Sequence, residues 1–351
     1  MLVQVPGWSS PKRSRQKITP GPEQSKAGNL FMNFRHTMAN DSMNLVFLGT
    51  GGAWGIPELN CDCRICTEMR ARRESRKRCA LLLSGETNLL IDCGPDISSQ
   101  LSANPVERID GLLISHEHGD HYLGMDDLSA YKRTRPRGKF TPIPVFLTSR
   151  TWETIGSRFG YLAETGVIEV RVVEPGKKYV LGQLEFIPFK TSHGGFAEGS
   201  VGYIIRFRRK NGDEARLVYT SDFVDVVDAQ EELLSPHFLI IQSYWFHEPA
   251  QNRPSHMSFQ RSLDFIRRWK PLEETFLVHL GDADMVPGDP ANSMMKKTVP
   301  KHPLAPPSGG APYPVPLHHD HWQESVDQVV RDYRLPFKIT VARDGMKVDL
   351  S

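Results

Sequence analysis

Cysteine is scarce in this chain, with five residues in 351. Five is an odd number and too few for a disulfide scaffold. Three of them, Cys61, Cys63 and Cys66, crowd together, which points to metal in a reducing compartment. Long apolar runs are missing too. No stretch approaches the ~18 residues of a membrane span. The N-terminus has no apolar core of a secretory signal. A cytoplasmic protein with no membrane partner is the expectation. An excess of one charge is also lacking. Lys+Arg 43 against Asp+Glu 41 leaves a formal net charge of +2. That gives no overall electrostatic case for binding nucleic acid or a membrane. Hydrophobic residues at 39% and charged residues at 24% suit a globular chain and exclude low-complexity disorder for most of it.

What is present begins with a Pro, Ser, Gly and Lys/Arg-rich stretch over residues 1–42, which has no sustained apolar period. It reads as a disordered tail ahead of a folded domain at 43–351. Met43, directly before the first strand, is an alternative start. Strands are expected at Asn44–Leu48, Ala80–Leu83, Asn88–Ile91, Gly111–Ile114, Val145–Leu147, Ile168–Val172 and Leu184–Ile187. Others follow at Val201–Phe207, Arg216–Tyr219, His237–Ile241, Glu274–Val278 and Phe337–Val341. Asn211-Gly212 is a hairpin turn signal. Phe259–Trp269 reads as an amphipathic helix, and a further helix is expected near Trp322–Tyr333. Residues 283–316 carry a run of prolines and Gly309-Gly310, so this insert is expected to be a long loop.

The strongest signal is Ser115-His116-Glu117-His118-Gly119-Asp120-His121, just after a strand. Four ligand-type side chains this close are not a packing motif. Neutral imidazoles with a carboxylate suit zinc or another borderline divalent ion. His116 and His118 alternate, so an extended backbone points both the same way. Asp120 and His121 follow the turn and can face a second ion.

This HxHxDH pattern resembles the metallo-β-lactamase superfamily, and further elements fall in the order that family has. They are Asp92 after a strand, His193 in Thr191-Ser192-His193-Gly194, Asp222 after the hairpin, and His279 at a later strand end. The resemblance implies an α/β fold, a four-layer αββα sandwich of two β-sheets with helices outside. It implies that His116, His118 and His193 hold one ion. Asp120, His121 and His279 hold the other, and Asp222 bridges them. Asp92 orients the ligand loop from behind. Two divalent ions, zinc or alternatively manganese, would deprotonate a water between them as nucleophile. Asp120 therefore counts as catalytic as well as ligating.

Three local features narrow the resemblance. They are Leu48-Gly-Thr-Gly-Gly-Ala-Trp-Gly-Ile-Pro57, the cluster Cys61, Cys63 and Cys66 followed by the basic run Arg70–Arg78, and Asp92-Cys93-Gly94-Pro95-Asp96. Together they are similar to the phosphonate-pathway phosphoribosyl 1,2-cyclic phosphate phosphodiesterase family. That likeness implies a third, structural zinc on the cysteines. Where the family has a histidine as fourth ligand, this chain has Asp282. Asp284, Cys79 and the histidines of His318-His319-Asp320-His321 are the substitutes. His256 aligns with a histidine near the scissile phosphate and is expected to be a general acid or phosphate contact, with His247 the runner-up. The expected substrate is a small cyclic phosphodiester. A tRNA 3′-processing nuclease, and a cofactor-biosynthesis protein resembling the pyrroloquinoline-quinone pathway member, are the alternative readings. A homodimer is the family-level expectation. Arg70–Arg78 reads as a solvated helix face, and His318–His321 as surface loop.

Overall fold

Successive apolar residues in the strands fix the architecture, because both faces of each sheet must be covered. A computed structural model describes residues 43–228, 231–251 and 255–351; the expected tail at 1–42 lies outside the described residues. The strands are β1 (Asn44–Gly49), β2 (Ala80–Ser84), β3 (Leu89–Ile91), β4 (Gly111–Leu113), β5 (Ile143–Thr148), β6 (Ile168–Val173), β7 (Tyr179–Leu181) and β8 (Leu184–Ser192). They continue with β9 (Val201–Arg208), β10 (Glu214–Tyr219), β11 (Asp225–Val226), β12 (Phe238–Gln242), β13 (Glu274–Val278), β14 (Ile339–Val341) and β15 (Lys347–Asp349). One mixed sheet runs β15-β1-β2-β3-β4-β5-β6. The other runs β11-β8-β9-β10-β12-β13-β14, with β7 paired to β8.

Strand alternation sorts the core into layers. Leu45 and Phe47 of β1 share the central cluster with Phe186, Tyr203, Leu217 and Phe276 of the opposite sheet. Val46 and Leu48 face the other way, into a cluster with Ile155, Phe159 and Leu162. The helices are α1 (Arg64–Ala71), α2 (Ile97–Ala103), α3 (Gly119–Tyr122), α4 (Ser129–Arg133), α5 (Ser149–Glu164), α6 (Phe259–Trp269) and α7 (His319–Asp332). α2 and α5 cover the first sheet, while Leu263 and Ile266 of α6 and Val326 and Val329 of α7 cover the second. The result is the expected αββα stack of four layers.

Asn211-Gly212 sits in the β9–β10 turn, with Gly212 at φ +90°. The His318–His321 segment is helical rather than loop. His318 caps α7 by accepting the His321 N–H. Nor is Arg70–Arg78 a uniform solvated face. The helix stops at Ala71, and Arg76 is buried, donating to Thr50 Oγ1 at 2.8 Å and the Ala342 carbonyl at 2.6 Å.

The proline-rich segment 283–316 holds one 3-10 turn, Pro290–Ser293. Leu304 and Tyr313 join the core under α6 and α7. Val286, Ala291 and Val315 pack with the cysteine cluster. His247 does not lie among the site residues; it pins this segment. Its Nδ1 accepts the Leu304 N–H at 3.0 Å, and its Nε2 donates to the Tyr313 carbonyl at 3.1 Å. That pair of bonds needs a neutral ring, and burial pushes His247 down to about 4. On acidification the unfolded chain takes up this proton first, so stability falls as pH drops below the unfolded value of about 6.5. Urea denaturation at pH 7.5 and pH 5 should show this residue contributing a loss of about 2 kcal/mol. In His247→Gln that part of the pH dependence should vanish; an unchanged slope would rule the residue out as its source.

Candidate metal centre

The centre is built from the C-terminal ends of β3, β4, β8, β10 and β13. The chain leaves β3 at Asp92, which takes φ +61°. Its carboxylate is fully buried and accepts several donors. Oδ1 takes the Ser115 N–H at 2.8 Å, and Oδ2 takes Ser115 Oγ–H at 3.0 Å and Tyr219 O–H at 2.9 Å. Oδ2 also takes His121 Nδ1–H at 2.8 Å. Gly94 is obligatory nearby, because a Cβ there would lie 1.9 Å from the Asp120 carbonyl.

These bonds choose tautomers. His121 spends Nδ1–H on Asp92, and His116 spends Nδ1–H on Ser115 Oγ at 2.9 Å. Both rings then turn a bare Nε2 inward. Neither nitrogen has a hydrogen-bond partner, although both are buried. His193 donates Nδ1–H to the Ser255 carbonyl and brings Nε2 to 3.0 Å from His118 Nδ1. His116, His118 and His193 thus form one donor group, and Asp120, His121, Asp222 and His279 the other. Orphaned lone pairs beside carboxylates are what a borderline divalent cation needs, so the residues present fit such ions.

The electrostatics point the same way. Burial pushes His116 well below its ordinary value and His193 down to about 4. Burial by itself would raise Asp222, but His279 and His121 beside it hold that carboxyl well below the usual range. Burial opposes charge on His279 too, yet Asp222 lifts it to about 9.

His256 joins the edge of this centre, stacked on Tyr244 at 4.8 Å between centroids. The residue behind it is Gln242, which no motif suggested. Gln242 Oε1 accepts the N–H groups of Phe223 and Met257 at 3.1 and 3.2 Å. Its amide nitrogen then faces His256 Nδ1 at 2.7 Å and His279 Nδ1 at 3.1 Å. The only sequence signal was a polar residue ending an apolar strand. Glu117 also escaped notice as a buried clamp. It accepts Thr151 Oγ1–H at 3.0 Å and the Gly199 N–H at 3.1 Å.

The cysteines gather elsewhere. Cys66, Cys63 and Cys61 Sγ lie 2.9, 3.7 and 3.9 Å from Asp282 Oδ2. The substitutes for Asp282 are placed otherwise. Asp284 accepts the N–H groups of Phe246 and His247, and Cys79 lies in the core against Tyr219. The histidines begin α7, where His318 stands beside Glu74 and Asp320.

A model of the beta-lactamase superfamily domain matches residues 87–280. The chain belongs to the metallo-β-lactamase superfamily. An octanoyltransferase of Porphyromonas gingivalis is 27% identical over 248 residues, which are 68% of this chain and 46% of that protein. The chain spans less than half the length of the first curated relatives it matches. Among solved structures, a diphosphatase from the PhnP family superposes with TM-score 0.63 at 22% identity, covering 88% of this chain and 97% of its own. Zinc-bound PqqB from Methylobacterium extorquens gives 0.61 at 17%, covering 88% and 100%. Likeness at these identities speaks for the fold. The superfamily hydrolase fold implies divalent metal binding.

Asp92→Asn exchanges an acceptor of several donors for an amide that must turn one donor away. Metal affinity of the histidine–carboxylate centre should fall about 10–100-fold, read by competition with a chromophoric chelator. Undiminished affinity would show that Asp92 does not orient the ligands.

Proposed function

We propose that this chain is a metal-dependent phosphodiesterase acting on a small cyclic phosphodiester, such as a ribose 1,2-cyclic phosphate. The observation that carries this reading is the position of Asp222. Its Oδ2 lies 3.0 Å from His279 Nε2, 3.6 Å from His121 and His193 Nε2, and 3.7 Å from His256 Nδ1. One carboxylate at the junction of both donor groups is the arrangement a bridged pair of ions requires. His116, His118 and His193 would hold one ion, Asp120, His121 and His279 the other, and Asp222 both. When bound, two zinc or manganese ions supply an activated water near neutral pH and take up charge on the phosphoryl oxygens. Cys61, Cys63, Cys66 and Asp282 would hold a third, structural zinc.

The chain supplies the rest. Gln242 directs an amide N–H at His256 Nδ1, which leaves the His256 proton on Nε2. Burial keeps the ring neutral. His256 thus meets the substrate as a hydrogen-bond donor to a phosphoryl or leaving oxygen, the phosphate-contact role rather than a charged acid. A cavity of about 540 Å³ opens beside it, lined by Tyr244, Trp245, Met295 and Thr298. That size suits a small substrate. The likeness to a diphosphatase from the PhnP family supports phosphoryl chemistry, and the likeness to zinc-bound PqqB supports zinc.

Elemental analysis and bis(p-nitrophenyl) phosphate turnover on one sample test the reading. Turnover should accompany about three zinc per chain, two on the histidine–carboxylate groups and one on the cysteines. Bound metal without phosphodiester turnover would overturn the activity. His256→Ala should lower kcat about 10²–10⁴-fold with metal content unchanged. Near-normal turnover in that variant would remove His256 from the mechanism.

A further inference from the structure

The segment around the cysteine cluster inverts the usual rule of burial. Met295 is 97% exposed and Val299 56%, while Lys297 between them is 7% exposed. The neighbouring Lys296 side chain is 23% exposed. Burying lysine while exposing methionine is unfavourable unless the ammonium groups have a task. Both have one here. Lys296 Nζ donates to Asp282 Oδ2 at 2.5 Å and to Glu58 Oε2. Lys297 Nζ donates to the Asp282 carbonyl at 2.5 Å and the Asp284 carbonyl at 3.0 Å.

Charge explains the demand. Metal ligands must be deprotonated. Three thiolates and a carboxylate around a divalent ion sum to two negative charges, in a place where Cys63 and Cys66 are fully buried. Some of that charge is met by backbone, since the Glu58 N–H donates to Cys66 Sγ at 3.3 Å. The carboxylate adds a charge that a neutral fourth ligand would not bring, and the ammonium on that carboxylate is Lys296. Its Nζ meets the same Oδ2 that faces the three sulfur atoms, and it also stands beside Cys61.

Resting on the reading of the cysteines as a metal site, we infer that Lys296 is the charge partner of a Cys3Asp metal centre, so that the proline-rich insert and the ion bind together. The insert is then part of the site: it carries the cation that makes an anionic fourth ligand tolerable. The rival arrangement, an ammonium that substitutes for a metal ion, predicts the opposite sign and is separated by the same experiment.

The test is cobalt(II) titration of the full chain after chelator treatment under reducing conditions. Thiolate-to-cobalt charge transfer in the near ultraviolet reports the cysteine site alone, because the other donor groups contain no sulfur. Lys296→Met should weaken this binding at least about tenfold, in the range of outer-sphere effects on metal sites. Lys296→Arg should restore most of it. Asp282→Asn with Lys296→Met, which removes both charges, should lose less than the two single losses combined. Cobalt binding at the histidine–carboxylate groups, followed by its weaker visible bands, should be unchanged and certifies folding. Equal or tighter thiolate binding in Lys296→Met would overturn the inference while leaving the site. Absence of any charge-transfer band in the unaltered protein would overturn the metal site itself.

Discussion

The buried carboxylate of Asp92 is the point on which the centre depends. It has no water to turn to, so each of its lone pairs must be met by protein donors. Those donors come from the segment after β4, from α3 and from β10, which binds both sheets to one small group. The consequence passes outward through hydrogen. By taking Nδ1–H from His121 and fixing Ser115 Oγ, which in turn takes Nδ1–H from His116, Asp92 leaves two Nε2 lone pairs facing inward. A change at Asp92 therefore alters ring orientation and tautomer together, although its carboxylate belongs to neither donor group.

A second level of organisation lies in Gln242 and Glu117. Gln242 joins backbone beside Asp222 and His256 to the rings of His256 and His279. Glu117 fastens the ligand loop to the start of α5 and to the loop that follows His193. These buried polar groups are satisfied by partners far away in sequence, which makes the site rigid. His247 performs the same service for the insert, from a position two residues after the aromatic wall that Tyr244 and Trp245 make.

Much of this was legible in the sequence because it is local. Runs such as Asn44–Leu48 and His237–Ile241 are apolar on both faces, which only a sandwiched sheet accommodates. The buried stripe of α6 follows from Leu263, Phe265, Ile266 and Trp269, and Ser258 caps its start. The metal-type residues announce themselves by crowding. What was hidden is nonlocal or weakly apolar. β7, β11 and β15 are short edge strands with exposed or half-buried residues, so they carry little pattern. α5 has an apolar stripe at Ile155, Phe159 and Leu162, but Gly156 and Gly160 dilute it. The pairing of Lys296 with Asp282, and of Gln242 with two imidazoles, depends on which loops meet, and spacing along a chain does not encode that. The burial of Arg76 within a run of basic residues is of the same kind.

The strand pairing also sets an order of events in synthesis. β1, at residues 44–49, is flanked on one edge by β15, at residues 347–349, and Thr50 at the turn after β1 is held by Asp344. A nascent chain must therefore carry β1 with one open edge through translation of nearly the whole domain. The last ring of the centre, His279, is likewise made long after the first, His116. Cotranslational assembly of this domain is limited to partial layers, and closure of this sheet waits for β15 to emerge. Loop closure over such separations is slow. During that interval the half-finished sheet, with its apolar β1 edge uncovered, is the species in which chaperones would have an interest.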